Sequence, residues 1–251
     1  MSSDYFWFEE MPFPAMGYNA EIIGKILYSF VLREDTSVKL SYPKSGTNWL
    51  IQIVCLIETK GDPKWIQSMP IWECSPWIDT GTGYSMLSNK EGPRLISSHL
   101  PIYLFHKSLF SSTNKIIYVF RDPRDVLGSG YHFGGKTNLV KNPESLETYF
   151  EWFLKENGQC PDTRATIKKI CKFLGKKLEP NETDLVLKYS SFQAMKESKT
   201  CDFNIRTKDI ITSGLQMFRK GKQFQNMSDH VEVFCQLEYI SSDCSAFIVF
   251  S

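Results

Sequence analysis

The spacing of apolar residues changes along the chain between the pattern of a strand and the pattern of a helix. Residues 38–42 alternate between apolar and polar side chains, which predicts a half-buried strand, and the run from Trp49 to Ile57 predicts a buried helix after it. Ile116–Phe120 is a continuous apolar run that predicts a buried strand, and a proline soon after it predicts the start of a helix. Strands that alternate with helices indicate an α/β fold in which helices flank a central parallel sheet.

Weaker patterns extend this alternation. The segment "RLISSHLP" predicts a short strand that ends at His99, and Val231–Ile240 alternates like a strand. Met69–Ser88 is rich in aromatic residues and turn formers and predicts a loop. Asp4–Tyr18 is rich in aromatics and proline and predicts a segment that packs along the domain. The spacing of apolar residues predicts further helices over Glu21–Leu32, Glu144–Lys155, Thr163–Leu174 and Glu182–Leu187.

Composition narrows the class of protein and its partners. A chain of 251 residues can bury the core of one sizeable α/β domain, and we expect residues 1–251 to form a single domain. The formal charge of +1 gives no global field for nucleic acid or an acidic membrane, so any anion site must be local. The N-terminus lacks the features of a signal peptide, and no apolar run approaches the roughly 18 residues of a membrane helix. Seven cysteines without C-x-x-C spacing indicate reduced thiols, and we expect a cytoplasmic protein.

The turn "PKSGTN" lies between the strand predicted at 38–42 and the helix after it, where free backbone N–H groups and the helix dipole attract an anion. It is not a Walker A loop, because its lysine precedes the glycine and no glycine opens it. We interpret Lys44 as a point charge and Gly46 as the point of close approach. Ser45 and Thr47 add hydroxyl donors, and such a set suits a diphosphate-like group. The alternative is a surface turn with an incidental lysine.

A second basic site follows the strand at Ile116–Phe120. Arg121 leaves this strand at its carboxyl end, where open α/β sheets bind ligands, and Ser129 lies near enough along the next helix to reach the same anion. The alternative is that Arg121 and Arg124 pair with neighbouring aspartates at a solvated helix start.

His99 is the third candidate, at the end of a predicted strand. Histidine, with an unperturbed pKa of about 6.5, is the usual general base near neutral pH, although a histidine beside a strand end and a proline can be purely structural. Three such features at the ends of three strands predict one shared crevice.

Longer motifs identify a family. "YPKSGTNWL", "KWIQSMPIWECSPW", "PRLISSHLP", "FRDPRDVLGSGY" and "YFEWF" closely resemble the cytosolic sulfotransferases, in particular the hydroxysteroid (alcohol) subfamily. The resemblance runs from Asp4 to about Glu156 and resumes from about Asp162 to Gly221. It implies a P-loop-like sulfotransferase fold and transfer of a sulfuryl group from 3′-phosphoadenylyl sulfate (PAPS) to the hydroxyl of a steroid, bile acid or other hydrophobic alcohol. The donor has no β,γ-phosphate bridge to neutralise, so no metal site is expected.

The resemblance also implies roles for individual residues. His99 would be the catalytic base that takes the proton of the acceptor hydroxyl, and Lys44 would stabilise the oxygen that leaves with the nucleotide. Donor contacts are implied for Lys44, Ser45, Gly46, Thr47, Asn48, Trp49, Arg121, Ser129, Ser190, Arg219, Lys220 and Gly221. Acceptor contacts are implied for four large apolar residues, each of which could instead be ordinary core: Met16, Trp72, Trp77 and Phe133.

Two departures distinguish this chain from the family it resembles. Where Cys160 joins Pro161, the family carries a further block with a buried parallel strand that ends in a tyrosine packed at the adenine. Loss of an internal strand exposes apolar faces and unpaired ladder groups, and a strand from elsewhere, such as Val231–Ile240, could fill the place beside Ile116–Phe120. After Gly221 the sequence diverges, and the motif that forms the family's typical homodimer is missing, so the oligomeric state stays open.

Three functions follow from these observations. The leading prediction is a sulfotransferase that acts on a hydrophobic alcohol. The second is a catalytically impaired relative that binds nucleotide or partners without turnover, which the lost strand and altered C-terminal segment motivate. A P-loop kinase is disfavoured, because the turn at Lys44 lacks the G-K-[ST] order.

Overall fold

The structure is a computed structural model that describes residues 5–33, 36–89, 94–111, 114–121, 123–137, 163–201 and 246–250. In these ranges the strands are β1 (Tyr5–Phe8), β2 (Met11–Pro14), β3 (Ser37–Ser41), β4 (Leu95–Ser98), β5 (Lys115–Phe120) and β6 (Ala246–Phe250). The helices are α1 (Ala20–Tyr28), α2 (Thr47–Glu58), α3 (Lys64–Ser68), α4 (Ile71–Cys74), α5 (Gly81–Ser88), α6 (Ser108–Ser111), α7 (Pro123–Gly134), α8 (Thr163–Leu174), α9 (Pro180–Tyr189) and α10 (Phe192–Glu197). Single 3-10 turns cover Ile102–Leu104 and Lys199–Cys201.

A parallel four-stranded sheet in the order β4-β3-β5-β6 forms the centre of the described part. Leu40 of β3 is paired with Ser98 of β4 on one side and with Tyr118 of β5 on the other. The predicted α/β fold with a central parallel sheet flanked by helices is therefore confirmed. Because the strands are parallel, their carboxyl ends meet at one edge, which is the ligand-binding edge of open α/β sheets.

The two faces of the sheet pack against different helices, as the alternating direction of side chains in a strand requires. Ile117 and Val119 of β5 lie in a buried cluster with residues of α2, α8 and α9. Ile116 of the same strand lies in a second buried cluster, with residues of α1, β3 and β4. Burial on both faces is the reason why β5 reads as an uninterrupted apolar run.

The strand beside β5 is β6, from the C-terminal end of the chain. Ala246–Phe250 runs parallel to β5, with Phe250 opposite Phe120. The expectation named Val231–Ile240 as a candidate for this place, and those residues lie outside the described ranges. The short apolar sequence of β6 suits a strand of a parallel sheet better than an alternating segment does, because both faces of such a sheet are covered.

Two parts of the chain have more regular structure than their sequence predicted. The N-terminal segment forms an antiparallel hairpin of β1 and β2, joined by Glu9 and Glu10, which have φ of 45° and 63°. The loop predicted over Met69–Ser88 is wrong in part, because this segment contains α4 and α5. The hydroxyl of Thr80 accepts a hydrogen bond from the N–H of Gly83 at 3.1 Å and caps α5, so residues typical of turns here start a helix.

The remaining helix predictions were closer, although the one over Glu21–Leu32 runs too far, since α1 ends at Tyr28. The helix predicted over Thr163–Leu174 is confirmed with those bounds, and the helix predicted over Glu182–Leu187 extends at both ends as α9. The helix predicted over Glu144–Lys155 lies outside the described residues. None of the helices in the described ranges is long and apolar enough to cross a membrane.

Candidate active site

The turn between β3 and α2 forms the first side of the site. β3 ends at Ser41, and α2 begins at Thr47 after Gly46, whose φ of 97° lies in the left-handed region that favours glycine. Lys44 also has a positive φ, of 71°, an uncommon conformation for a residue with a side chain. The first N–H groups of α2 have no partners within the helix and face the end of the turn. Such a turn binds an anion at the positive end of the helix dipole.

Lys44 lies in a restricted, electropositive environment. Its Nζ is 4.3 Å from the centre of the Phe133 ring, and its side chain is half-buried. Burial, and next the positive charge of Arg121, lower the pKa of Lys44 from 10.5 to about 8. A bound anion would oppose both effects, because it would replace lost hydration with an opposite charge.

Arg121 joins the end of β5 to the same turn. Its Nη1 donates a hydrogen bond to the carbonyl oxygen of Lys44 at 3.4 Å. Its Nη2 lies 3.5 Å from Oδ2 of Asp125, so the ion pair foreseen as the alternative role also forms. Ser129 is half-buried in the same helix, α7. Two cationic side chains from neighbouring strands therefore lie at one edge of the sheet.

His99 follows β4 at this edge. Its Nδ1 is 2.8 Å from the carbonyl oxygen of Ser41 and 3.2 Å from the hydroxyl of Ser41. A carbonyl oxygen only accepts hydrogen bonds, so Nδ1 carries the proton and Nε2 has a free lone pair. Burial, with a smaller contribution from the charge of Lys44, lowers the pKa of His99 from 6.5 to about 4, against the opposing effect of the hydrogen bond to Ser41. The imidazole is therefore neutral at pH 7, in the tautomer that can accept a proton at Nε2.

The aromatic residues predicted to contact an acceptor have different surroundings. The ring of Trp77 is 4.4 Å from the ring of His99, and Phe133 lies under Lys44. Trp72 is buried in the cluster around α2, and Met16 is 42% exposed. Trp77 and Phe133 are thus the two that lie beside the candidate chemical groups.

Ser190 lies where α9 ends, close to α2. The neighbouring carbonyl of Tyr189 accepts a hydrogen bond from Nε2 of Gln52 in α2 at 3.1 Å. The Oγ of Ser190 is buried and makes no hydrogen bond within the described part of the chain. A buried hydroxyl of this kind fits a site that is completed by a polar ligand.

Some of the remaining residues predicted to contact the donor lie in α2, and others lie outside the described part of the chain. Asn48 and Trp49 lie half-buried in the first turn of α2. Arg219, Lys220 and Gly221 lie outside the described residues. Within the described ranges, no group of three or more His, Cys, Asp or Glu side chains could hold a metal ion.

Asp79 is a site residue that the sequence analysis missed. Its Oδ2 accepts hydrogen bonds from the backbone N–H of His99 at 2.9 Å and from the hydroxyl of Ser98 at 3.0 Å. A charged residue in the otherwise apolar stretch "SPWID" was the available signal, because an acid in apolar surroundings needs partners.

A Walker A pattern, which the turn at Lys44 does not have, occurs elsewhere in the sequence. The segment "GYHFGGKT", from Gly130 to Thr137, fits G-x-x-x-x-G-K-[ST]. Gly130 lies inside α7, so this segment follows a helix rather than a strand. Its backbone therefore does not have the strand–loop–helix geometry of a P-loop.

Comparison with known proteins identifies the relatives of this chain. The sequence matches the sulfotransferase domain family over residues 34–162 and 161–241. It is 58% identical to Sulfotransferase 2A1 of Mus musculus over 249 residues, covering 88% of this chain and 87% of the relative. The corresponding protein of Homo sapiens is 48% identical over 249 residues, with the same coverage. Each alignment has 249 positions but includes only 88% of the 251 residues of this chain, so some residues of each relative have no counterpart here.

Solved structures with low sequence identity share the fold. A retinol dehydratase in complex with retinol and PAP has a TM-score of 0.69 at 20% identity, over 88% of this chain and 80% of that chain. A mouse sulfotransferase, SULT7A1, in complex with PAP has a TM-score of 0.67 at 24% identity, over 96% of this chain and 90% of that chain.

Proposed function

This chain belongs to the sulfotransferase family, in the hydroxysteroid subfamily of the cytosolic enzymes, and we propose that it transfers a sulfuryl group from PAPS to a steroid, bile acid or other hydrophobic alcohol with His99 as the general base. One observation carries this proposal. Lys44, Arg121 and His99 come from the ends of β3, β5 and β4 and lie at one edge of the sheet, linked through the Lys44 carbonyl and Ser41.

The basic residues fit the donor, which supplies an activated sulfuryl group on a nucleotide with two phosphates. The turn at Lys44 and the first N–H groups of α2 bind the phosphosulfate end. Arg121, with Ser129, binds the 3′-phosphate. The unpartnered hydroxyl of Ser190 supplies a further donor contact. Asn48 and Trp49 complete the turn, and we extend the donor contacts to the basic loop of Arg219, Lys220 and Gly221.

His99 moves the proton. Its Nε2 accepts the proton of the acceptor hydroxyl, while the Nδ1–H bond to Ser41 holds the ring in the required tautomer. Lys44 stabilises the negative charge that develops on the leaving oxygen, and its ammonium is more effective because it is partly removed from water. Trp77 and Phe133 limit the access of water to these two residues and, with Met16 and Trp72, form the apolar surface for the acceptor.

Transfer of radiolabelled sulfate from PAPS to a 3-hydroxysteroid tests this proposal. The wild type and His106→Gln should both transfer label, because His106 is half-buried and bonds Ser108 at 2.9 Å, in a different part of the chain. His99→Gln should lose about 100-fold or more of kcat, the usual contribution of a general base. Equal rates for the two variants would contradict the role of His99.

A second function follows from the residues of the relatives that have no counterpart in this chain. The chain would then be an impaired form that binds the nucleotide without turnover. Calorimetry with PAP distinguishes the two functions, since binding without labelled product supports the impaired form and binding with product supports the enzyme.

We also propose that residues 1–251 form one domain, which diverges from the family after about residue 221.

A further inference from the structure

A buried carboxylate holds the backbone that carries the candidate base. Oδ2 of Asp79 accepts the N–H of His99 at 2.9 Å and the hydroxyl of Ser98 at 3.0 Å. The same Ser98 hydroxyl oxygen accepts the N–H of Leu100 at 2.9 Å. Directly or through Ser98, Asp79 therefore satisfies two successive N–H groups at the point where the chain leaves β4 and the sheet no longer supplies partners.

The cost of burying Asp79 indicates that its position is specific. The residue is 1% exposed, and its Oδ1 has no hydrogen-bond partner among the described residues. Burial raises the pKa of Asp79 to about 6, and the bonds from His99 and Ser98 oppose this rise. Tyr18 is close enough for the charge of Asp79 to raise its pKa further, beyond the effect of burial. A buried acid without a full set of hydrogen bonds lowers the stability of a fold, so a carboxylate with no structural role would destabilise the protein at this position.

The imidazole of His99 is held by the end of β3. Its Nδ1–H donates to the carbonyl oxygen of Ser41 at 2.8 Å, while Asp79 holds the backbone of the same residue. Neither contact uses Nε2. The residue is therefore held at its backbone by Asp79 and at its ring by Ser41, and both contacts leave the proton-accepting Nε2 unused.

We propose that Asp79 is a positioning residue for His99, which anchors the end of β4 so that the Nδ1–H bond to Ser41 forms and Nε2 meets the acceptor hydroxyl. This proposal rests on the function proposed above for His99. Asp79 itself touches neither the donor nor the acceptor in this proposal. Its removal should therefore act on the geometry and tautomer of His99 and leave the binding of substrates largely unchanged.

The experiment compares four variants in the full chain. Asp79→Asn keeps one acceptor oxygen, Asp79→Ala keeps none, and Ser98→Ala removes one of the two donors to the carboxylate. Ser75→Ala is the matched control, because the Ser75 hydroxyl is also buried and bonds β4, at Ser97 and 2.8 Å. The Ser75 hydroxyl thus stabilises β4 without a contact to His99.

Steady-state rates and the nitrogen shifts of the His99 ring in NMR spectra are the two measurements. Asp79→Ala should lower kcat about 10- to 100-fold with little change in the acceptor KM, as expected when a catalytic group is displaced by about an ångström. Asp79→Asn and Ser98→Ala should lower kcat less, and Ser75→Ala should stay within about twofold of the wild type. In the Asp79 variants, the His99 ring should lose its single Nδ1–H tautomer.

These outcomes separate the proposal from the function on which it rests. If His99→Gln is inactive while Asp79→Asn and Ser98→Ala keep both the wild-type kcat and the Nδ1–H tautomer, the positioning role is wrong and the function stands. If His99→Gln remains active, the proposed base is wrong, and a shifted tautomer in Asp79→Asn would still support the positioning role. Should Asp79→Ala fail to fold, the Asn and Ser98 variants decide the question.

Discussion

The Nδ1 atom of His99 lies 2.8 Å from the carbonyl oxygen of Ser41. The sheet register explains this contact, since Ser98 is paired with Leu40, and Ser41 and His99 are the next residues of the two strands. Parallel strands end at the same edge, so the side chain at the end of β4 reaches the main chain at the end of β3. The tautomer of the candidate base thus follows from strand pairing.

Burial of the His99 ring predicts a lowered pKa for this residue, although the hydrogen bond to Ser41 partly opposes the effect. NMR titration of His99 should give a pKa near 4 rather than 6.5, because burial disfavours the imidazolium. Since the folded pKa is lowered, the neutral ring stabilises the fold above pH 6.5, and this contribution disappears as the pH falls toward 4. Between these values the wild type should lose up to about 3 kcal/mol more stability than His99→Gln.

The comparison with His99→Gln isolates the histidine. Burial raises the pKa of Asp79 to about 6, which alone would increase stability as the pH falls from 6 toward 4. Asp79 is present in both proteins, so its effect cancels in the difference. Parallel pH profiles of thermal unfolding for the two proteins would contradict the lowered pKa of His99.

Trp77 should keep water away from this ring, because the two ring centres are 4.4 Å apart. Trp77→Leu leaves a smaller side chain, so we expect the pKa of His99 to rise from about 4 toward its usual value of 6.5. The measurement is the same NMR titration. Trp7→Leu is the control, since Trp7 is 68% exposed and lies in β1. A pKa of His99 that is the same in both variants would rule out this role of Trp77.

Strong local patterns explain what could be predicted of the fold from sequence. β5 is buried on both faces and α8 has one apolar side, so each carries its own period. The hairpin of β1 and β2 lacks the glycine or asparagine of a common hairpin turn and uses Glu9 and Glu10 with positive φ. The pairing of β6 with β5 joins distant parts of the chain, and no local pattern reports the partner of a strand.

The residues of the candidate site also fall into two groups, those that a local sequence pattern reveals and those that depend on tertiary contacts. Lys44, His99 and Arg121 were identified because each stands in a motif at the end of a predicted strand, and the structure brings them to one edge. Asp79 lies in no motif and in no periodic pattern of apolar residues, and its importance depends on a hydrogen bond to a residue distant in sequence. The pKa shifts of Lys44 and His99 depend on burial, which a sequence does not give quantitatively.

Lys44 should take up a proton when a nucleotide binds. Its pKa is lowered to about 8 by burial and Arg121, and a bound phosphate should raise it. At about pH 9, where the free side chain is mostly neutral, binding of PAP should therefore consume protons, and affinity should fall as the pH rises above 8. Calorimetry in buffers of different ionisation enthalpy measures this uptake.

Two variants test the assignment of the proton to Lys44. Lys44→Met should abolish the uptake, whereas Lys64→Met should keep it, since the side chain of Lys64 is 89% exposed. Arg121→Met should reduce the uptake, because removal of the neighbouring charge lets the pKa of Lys44 rise before binding. Undiminished uptake in Lys44→Met would assign the proton to another group.

The pairing of β6 with β5 predicts a specific pattern of amide exchange. In a strand with a neighbour on each side, successive N–H groups point alternately to the two neighbours, so about half of the β5 amides should bond β6 and half β3. A chain that ends at Cys244 lacks β6. Hydrogen exchange should then become fast at every second amide of Lys115–Phe120, while the alternate amides that face β3 stay protected.

The amides facing β3 are the internal control, because they belong to the same strand and differ only in their partner. If the shortened chain is unfolded as a whole, all of them exchange, and the intact chain then provides the test. Alternate amides of β6 itself should be protected there, since one edge of this strand bonds β5. Fast exchange throughout Ala246–Phe250 in the folded protein would mean that β5 is completed by some other segment.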